Sequence, residues 1–427
     1  MIALVMLIAL FALVLINVPI AVALGVIAAV AMVAKSGMDS MLGASVVLFE
    51  GATKFPLIAI PLFVLAGAIM NTSGISRRLI AFASAMLGFI RGGLSMVNIG
   101  TSMFFAEISG SAVADVAAIG SILIPAMEKR GYPKNFAAAI TSSSASLAII
   151  IPPSIPMILY AVMANTSVVQ LFVAGIIPGI IGAAGLMALS FWFAVRYNFP
   201  VEEVFRLKNL WRTFKEAAWA FLLPIIILGG IFGGLVTATE GAGLAVVASL
   251  FIGVVIYREL DVRHLHRALI DGAVQTAVVM LLVATSALLG LYLTESRIPQ
   301  GLAQGIAELT DNRYLILAML NALFLVLGCF LHGAAAIILV VPIVLPIVQA
   351  IELDLVHFGL IVTLNLAIGQ QTPPVASVLI TACSIAKADV WEVTKVNVYF
   401  IGVLAAVLIM VTYVPIIPLA LVEYFYR

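Results

Sequence analysis

Three short stretches of this chain could hold a ligand, and all three lie inside apolar segments. Ser109-Gly110-Ser111 joins two apolar helical runs, Pro152-Pro153-Ser154 breaks a third run, and Thr372-Pro373-Pro374 breaks a fourth. Consecutive prolines remove backbone donors and force the preceding residue out of the α region. The interrupted helices then present free ends. N-terminal ends offer N–H groups and a positive dipole, which suit a carboxylate. C-terminal ends and unwound stretches offer carbonyl oxygens, which suit a hard cation such as Na⁺. On that chemistry the first-half candidates are Ser109, Gly110 and Ser111 with Ala148, Ile150 and Pro152. Those of the second half are Gly333 and Ala334 with Gly369, Gln370, Thr372 and Pro373. Small residues here would also allow close helix packing. The pairing of a small-residue tip with a nearby proline break, made twice, favours a binding site.

Ionisable residues inside a membrane are costly and point to function. Asp115 lies one turn beyond Ser111, where a carboxylate favours the helix dipole; it reads equally as a cap and as a transport residue. Glu107 ends the preceding run, where the dipole disfavours it. His332 is the one histidine deep in an apolar stretch, and a substrate contact and a satisfied packing residue suit it equally. His264, His266 and His357 have no metal-ligand spacing, so no metal beyond Na⁺ and no organic cofactor is expected. Cys329 and Cys383 sit in apolar stretches and read as inert thiols.

The elements that must position these residues are membrane helices. The chain is 64% hydrophobic and 10% charged, against roughly 25% charged in soluble domains. With no charged n-region before Lys35, residues 1–34 read as a retained membrane segment, two short helices meeting at Asn17-Val18-Pro19. An interfacial piece (35–53), a span (54–72) and a surface piece (76–91) follow. A hairpin at about 92–128 has its tip at Glu107 to Ser111, and a broken segment runs from about 136 to 164. A further span ends the first half at residue 195.

Residues 196–216 form a polar linker with Arg196, Arg206, Lys208, Arg212 and Lys215. The second half, 217–427, repeats the order. Spans lie at 217–236, 241–257 and 268–294, and surface pieces at 258–267 and 296–312. A hairpin at about 313–350 with its tip near Leu331 to Ala334, a broken segment at about 356–386 and a span at 396–421 complete it.

The expected fold is therefore all-α and polytopic, with two repeats that each contain a re-entrant hairpin and a Pro-broken helix. An odd number of crossings per half inverts the second copy. If the first hairpin opens to the cytoplasm, only Lys35, Lys54, Arg297, Arg313 and Arg427 of the 21 Lys and Arg fall outside cytoplasmic loops. That is the positive-inside asymmetry, and it places both termini in the periplasm. An enzyme is disfavoured, because no H-E-x-x-H exists and no His but His332 could activate Ser109. A channel would also use carbonyl-lined breaks, but inverted hairpins favour alternating access.

The chain resembles the large membrane subunit of tripartite ATP-independent periplasmic (TRAP) transporters over essentially its whole length. The most specific stretches are Ser109 to Asp115 (SGSAVAD), Ile151 to Pro156 (IPPSIP), Gly369 to Val375 (GQQTPPV) and Pro61 to Gly67 (PLFVLAG). The resemblance implies Na⁺-coupled uptake of an organic acid, such as sialic acid or a C4-dicarboxylate, across the bacterial inner membrane. It implies an elevator movement of the hairpin domain, a soluble periplasmic binding protein and a small four-helix membrane subunit as partners, besides membrane lipid. It places Na⁺ at the hairpin tips and facing breaks, and the substrate carboxylate near Ser109 and Ser154; Asp115 and His332 are substrate-binding candidates on their own chemistry. A stand-alone ion-coupled anion transporter of related fold is the alternative. Relatives often have Asp where this chain has His332, and Gly where it has Ala376.

Overall fold

The computed structural model describes residues 2–16, 18–202, 204–310 and 312–426, with backbone alone for some helical positions, including 107–109. Asn17, Arg427 and the side chains of Glu107 and Ser109 thus lie outside the described residues. Among the described residues the elements are helices, and eight are long and apolar enough to cross a membrane. The expected two helices before Lys35 are present as Ile2–Leu15 and Ile20–Ser36.

An outer layer is built from both halves. Ala59–Thr72 packs against Ala238–Phe251 and Val262–Glu295, and the latter also carries Ile20–Ser36 and Ala44–Ala52. The amphipathic Ile75–Leu87 lies along Leu207–Pro224. Arg77 and Arg78 both reach the Glu259 carboxylate at 2.8 Å, and the Arg78 guanidinium stacks over Tyr257, fixing this surface helix to the turn after residue 256.

The inner layer holds the two hairpins and the two broken helices. The first hairpin is Gly93–Ser109 and Ala112–Lys129, the latter with a π-helical turn over Val116–Gly120. The second is Arg313–Phe330 and Gly333–Ala350. The first broken helix runs Lys134–Ala145, then a 3₁₀ turn Ser146–Ile149, then Ile155–Ala164. The second runs Leu355–Gly369 and Ser377–Ala386.

The halves embrace reciprocally. Lys134–Ala145 packs on Ser377–Ala386, while Ile155–Ala164 packs on Leu355–Gly369. Ile155–Ala164 also lies against the second arm of the second hairpin, and Ser377–Ala386 against that of the first. Each contact thus has a counterpart with the two halves exchanged, as two-fold-related repeats require.

Three boundaries differ from expectation. The linker expected over 196–216 is helical from Leu207, because its basic residues lie on one face of an amphipathic helix that continues into the span. The surface piece 258–267 and span 268–294 form one helix, Val262–Glu295, capped by Asp261. The span expected over 396–421 begins at Val390, where Asp389 caps it, and ends at Tyr413; Ile416–Tyr426 is a separate helix after Pro415.

Candidate binding site at the hairpin tips and helix breaks

Each hairpin tip is bonded to the break of its own half. In the first half the Ile155 N–H donates to the Gly110 carbonyl at 3.4 Å. In the second the Val375 N–H donates to the Cys329 carbonyl at 3.1 Å. Pro152, Pro153, Pro373 and Pro374 contribute carbonyls but no N–H, so each junction is rich in acceptors.

Glycine makes this approach possible. Gly110 has φ +59°, and a Cβ there would lie 3.0 Å from the Pro153 oxygen. A Cβ on Gly369 would lie 2.5 Å from the Gly328 Cα, so the second hairpin and the second break touch backbone to backbone. Gly333 abuts the Gln370 amide, 2.8 Å from where its Cβ would lie.

Several expected site residues are thereby gathered. Gly110 meets Pro153 and Ile155, and the turn containing Ala148 packs on both arms of the first hairpin. Gly333, Gln370 and Gly369 meet in the second half, with Ala334 buried beside them. Thr372 turns its hydroxyl back to the Ile368 carbonyl at 2.9 Å, and Pro373 follows it, half-buried. Ile150 points elsewhere: its carbonyl lies against Gly175 on the following span, where a Cβ would clash with it. Ser111 caps Ala112–Asp115, accepting from Ala114 N–H at 3.5 Å, and Asp115 is buried one turn on.

Ser154 is buried and uses its hydroxyl within the break. It donates to the Ile149 carbonyl at 2.8 Å and accepts from Met157 N–H at 3.4 Å, the geometry of an N-cap.

The junctions differ in access. Residues 141–160 are buried throughout, whereas Pro374 and Val375 are exposed. His332 is the N-cap residue of Gly333–Ala350, with an extended backbone and an accessible side chain.

Polar networks that sequence reasoning missed hold the tips in place. Asn98 on the first hairpin bonds Thr141 at 2.7 Å and accepts from Ser144 at 2.8 Å; Ser102 donates to Ser144 at 3.0 Å. In the second half Asn365 bonds Asn321 on the hairpin at 2.6 Å, and Asn321 bonds Thr412 at 3.1 Å. A third network joins the halves: the Ser143 hydroxyl lies 2.7 Å from both the Gln371 and the Asn397 side-chain oxygens. A hydroxyl carries one proton, so it donates to one of these two oxygens at a time, while the Asn397 amide N–H group donates to the Gln371 oxygens at 3.4 Å. The available signal was the run Thr141-Ser142-Ser143-Ser144 and the lone asparagines inside apolar helices.

Outside the membrane segments, Glu202 ties the linker to the first hairpin. Its buried carboxylate takes Arg130 at 3.2 Å and the Tyr132 hydroxyl at 3.4 Å. Burial and that carboxylate push the Tyr132 hydroxyl well above the ordinary tyrosine range.

Two inward hairpins docked on two broken helices, within an all-helical membrane fold, define a secondary-transporter architecture. The chain belongs to the family described as the tripartite ATP-independent periplasmic transporter, DctM component, whose model matches residues 7–417. That family works with a small membrane subunit and a periplasmic binding protein.

The isethionate TRAP transporter permease DctMQ of Oleidesulfovibrio alaskensis is 42% identical over 95% of this chain, which spans 64% of that longer protein. The C4-dicarboxylate large permease DctM of Rhodobacter capsulatus is 35% identical over 88% of each chain. The sialic acid permease SiaT of Haemophilus influenzae is 37% identical over 84% of this chain and 59% of its own. The YdaH transporter of Alcanivorax borkumensis shares the fold with a TM-score of 0.62, 13% identity and 88% coverage of each chain. These relatives are named as transporters or transporter permeases.

Proposed function

We propose that this chain is the membrane core of a Na⁺-coupled importer of a small organic anion. The observation that carries the reading is the doubled junction, Ile155 to Gly110 and Val375 to Cys329, which sets proline-flanked carbonyls beside a small-residue tip in each half. Carbonyl clusters suit Na⁺, and the adjoining half-helix N-termini suit an oxyanion. Gly110, Ser111, Ala148 and Pro152, with Ser109, would serve Na⁺ in the first half, whereas the Ile150 carbonyl is turned to Gly175. Gly333, Ala334, Gly369, Gln370, Thr372 and Pro373 would serve Na⁺ in the second. Ser109, Ser154, Asp115 and His332 are the residues that would meet the anion.

The names of the relatives widen the substrate class to carboxylates and sulfonates, since isethionate stands beside sialic acid and C4-dicarboxylates. Import then draws on a periplasmic binding protein and a small membrane subunit, and proceeds by an elevator movement of the hairpin layer. Both termini face the periplasm.

Reconstitution of the chain with its small subunit and loaded binding protein tests this. Uptake is expected with an inward Na⁺ gradient and absent with a proton gradient alone; proton-driven uptake overturns Na⁺ coupling. The melting temperature is expected to rise with Na⁺ and not with equal K⁺, as for an ion bound only to the folded state. Robust uptake by this chain alone would instead support the stand-alone transporter. The ligand co-purifying with the cognate binding protein identifies the anion.

A further inference from the structure

An open pocket of about 760 Å³ lies at the start of Leu207–Pro224, lined by Val204, Arg206, Lys208, Asn209, Trp211, Arg212 and Lys215. The helix buries Thr213, Ala217 and Ala220 against the protein. Lys208, Trp211, Arg212 and Lys215, spaced i, i+3, i+4 and i+7, therefore share the opposite, outward face. Arg212 donates to the neutral Asn209 side chain at 2.9 Å, and the Lys215 ammonium lies 5.5 Å from the Trp211 ring centroid. Among the described residues no carboxylate pairs with Arg206, Lys208, Arg212 or Lys215, whereas Arg77, Arg78, Arg130, Lys134 and Lys395 each have one. Among the described residues the pocket's positive charge has no carboxylate counterpart.

The surroundings say what would answer that charge. Val204 and Leu207 at the rim are 77% and 71% exposed, and further along the helix Trp219 and Ile225 are exposed on the way into the span. A basic cluster followed by Trp and then aliphatic surface matches the depth profile of one bilayer leaflet. A soluble anion would need the cations and not the apolar track below them.

We propose that this pocket binds the headgroup phosphate of an anionic phospholipid, with the acyl chains running along Trp219 and Ile225. The lipid would hold the junction between the two halves at a fixed depth while the hairpin layer moves.

The test uses the complex of this chain with its small subunit, delipidated in neutral detergent, and native mass spectrometry with added cardiolipin, phosphatidylethanolamine or inorganic phosphate. Wild type is expected to retain cardiolipin and to gain melting temperature from it, with no gain from the other two. Lys208→Gln/Arg212→Gln is expected to bind cardiolipin roughly thirty-fold more weakly, at about 1 kcal/mol per cation removed. Arg263→Gln/Arg267→Gln, on another basic helix, should bind as wild type does. Equal stabilisation by phosphate, equal loss in both double variants, or a pocket filled by the small subunit would each overturn the proposal.

Discussion

The hydroxyl of Ser143, in the first broken helix, lies 2.7 Å from the Gln371 side-chain oxygen at the break of the second. With Asn397 at the same distance, this one group joins two repeats and the last long span. Ser143→Ala removes the donor that faces the buried Asn397 and Gln371 side-chain oxygens, of which the Gln371 oxygen keeps only a 3.4 Å contact from the Asn397 amide. Polar contacts between membrane helices are worth about 0.6 kcal/mol on average and up to about 1.7, and an orphaned buried group costs about 1–3. A loss of roughly 1–2 kcal/mol is expected, read as a lowered melting temperature. Ser121→Ala, at an exposed site, should leave it unchanged.

Three glycines separate close approach from mere smallness. Gly369→Ala, with its Cβ 2.5 Å from the Gly328 Cα, should prevent the second tip from docking and abolish uptake. Gly110→Ala should cost about 1–2 kcal/mol from its left-handed backbone, and more from the contact with Pro153. Gly402→Ala meets nothing within 4 Å and should be neutral. Expression, melting temperature and initial uptake rate are the measurements; an inactive Gly402→Ala would undo the comparison.

Ala376 adopts φ +41° and ψ +53° at the start of Ser377–Ala386, a conformation that favours glycine. This is the position where resemblance led one to expect Gly. Ala376→Gly relieves about 1–2 kcal/mol of strain, offset by about 0.4–1 kcal/mol of unfolded-state entropy. A net gain near 1 kcal/mol should appear as a higher melting temperature with uptake preserved.

Ser154→Ala distinguishes cap from ligand. Removing an N-cap costs about 0.5–2 kcal/mol, and here it also leaves the Ile149 carbonyl without its donor. Melting temperature is expected to fall together with uptake. Lost uptake with an unchanged melting temperature would mean that the hydroxyl serves the substrate alone.

The breaks and tips were legible because their signals are local: paired prolines, Ser-Gly-Ser, and a histidine where little else is polar. Ser154 was legible as important, but its bonds to Ile149 and Met157 depend on how the chain turns between the prolines and the helix. The polar networks were not legible, because Asn98, Ser143 and Asn321 bond residues on other helices. The helix end at Arg258–Arg267 was misplaced for a different reason. Hydropathy marks where a helix leaves the lipid, and Val262–Glu295 continues past that point with its basic side chains in the interface.

The sequence separations in the Ser143 network set an order of events in biogenesis. Its partners Gln371 and Asn397 lie 228 and 254 residues downstream. At about 5–20 residues per second, synthesis of that interval takes roughly 13–50 s. For that time the Thr141 to Ser144 stretch has left the ribosome while its cross-repeat partners do not yet exist. The first half must therefore wait in the bilayer incompletely paired, and the lifetime of that intermediate is set by the ribosome rather than by the rate at which helices pack.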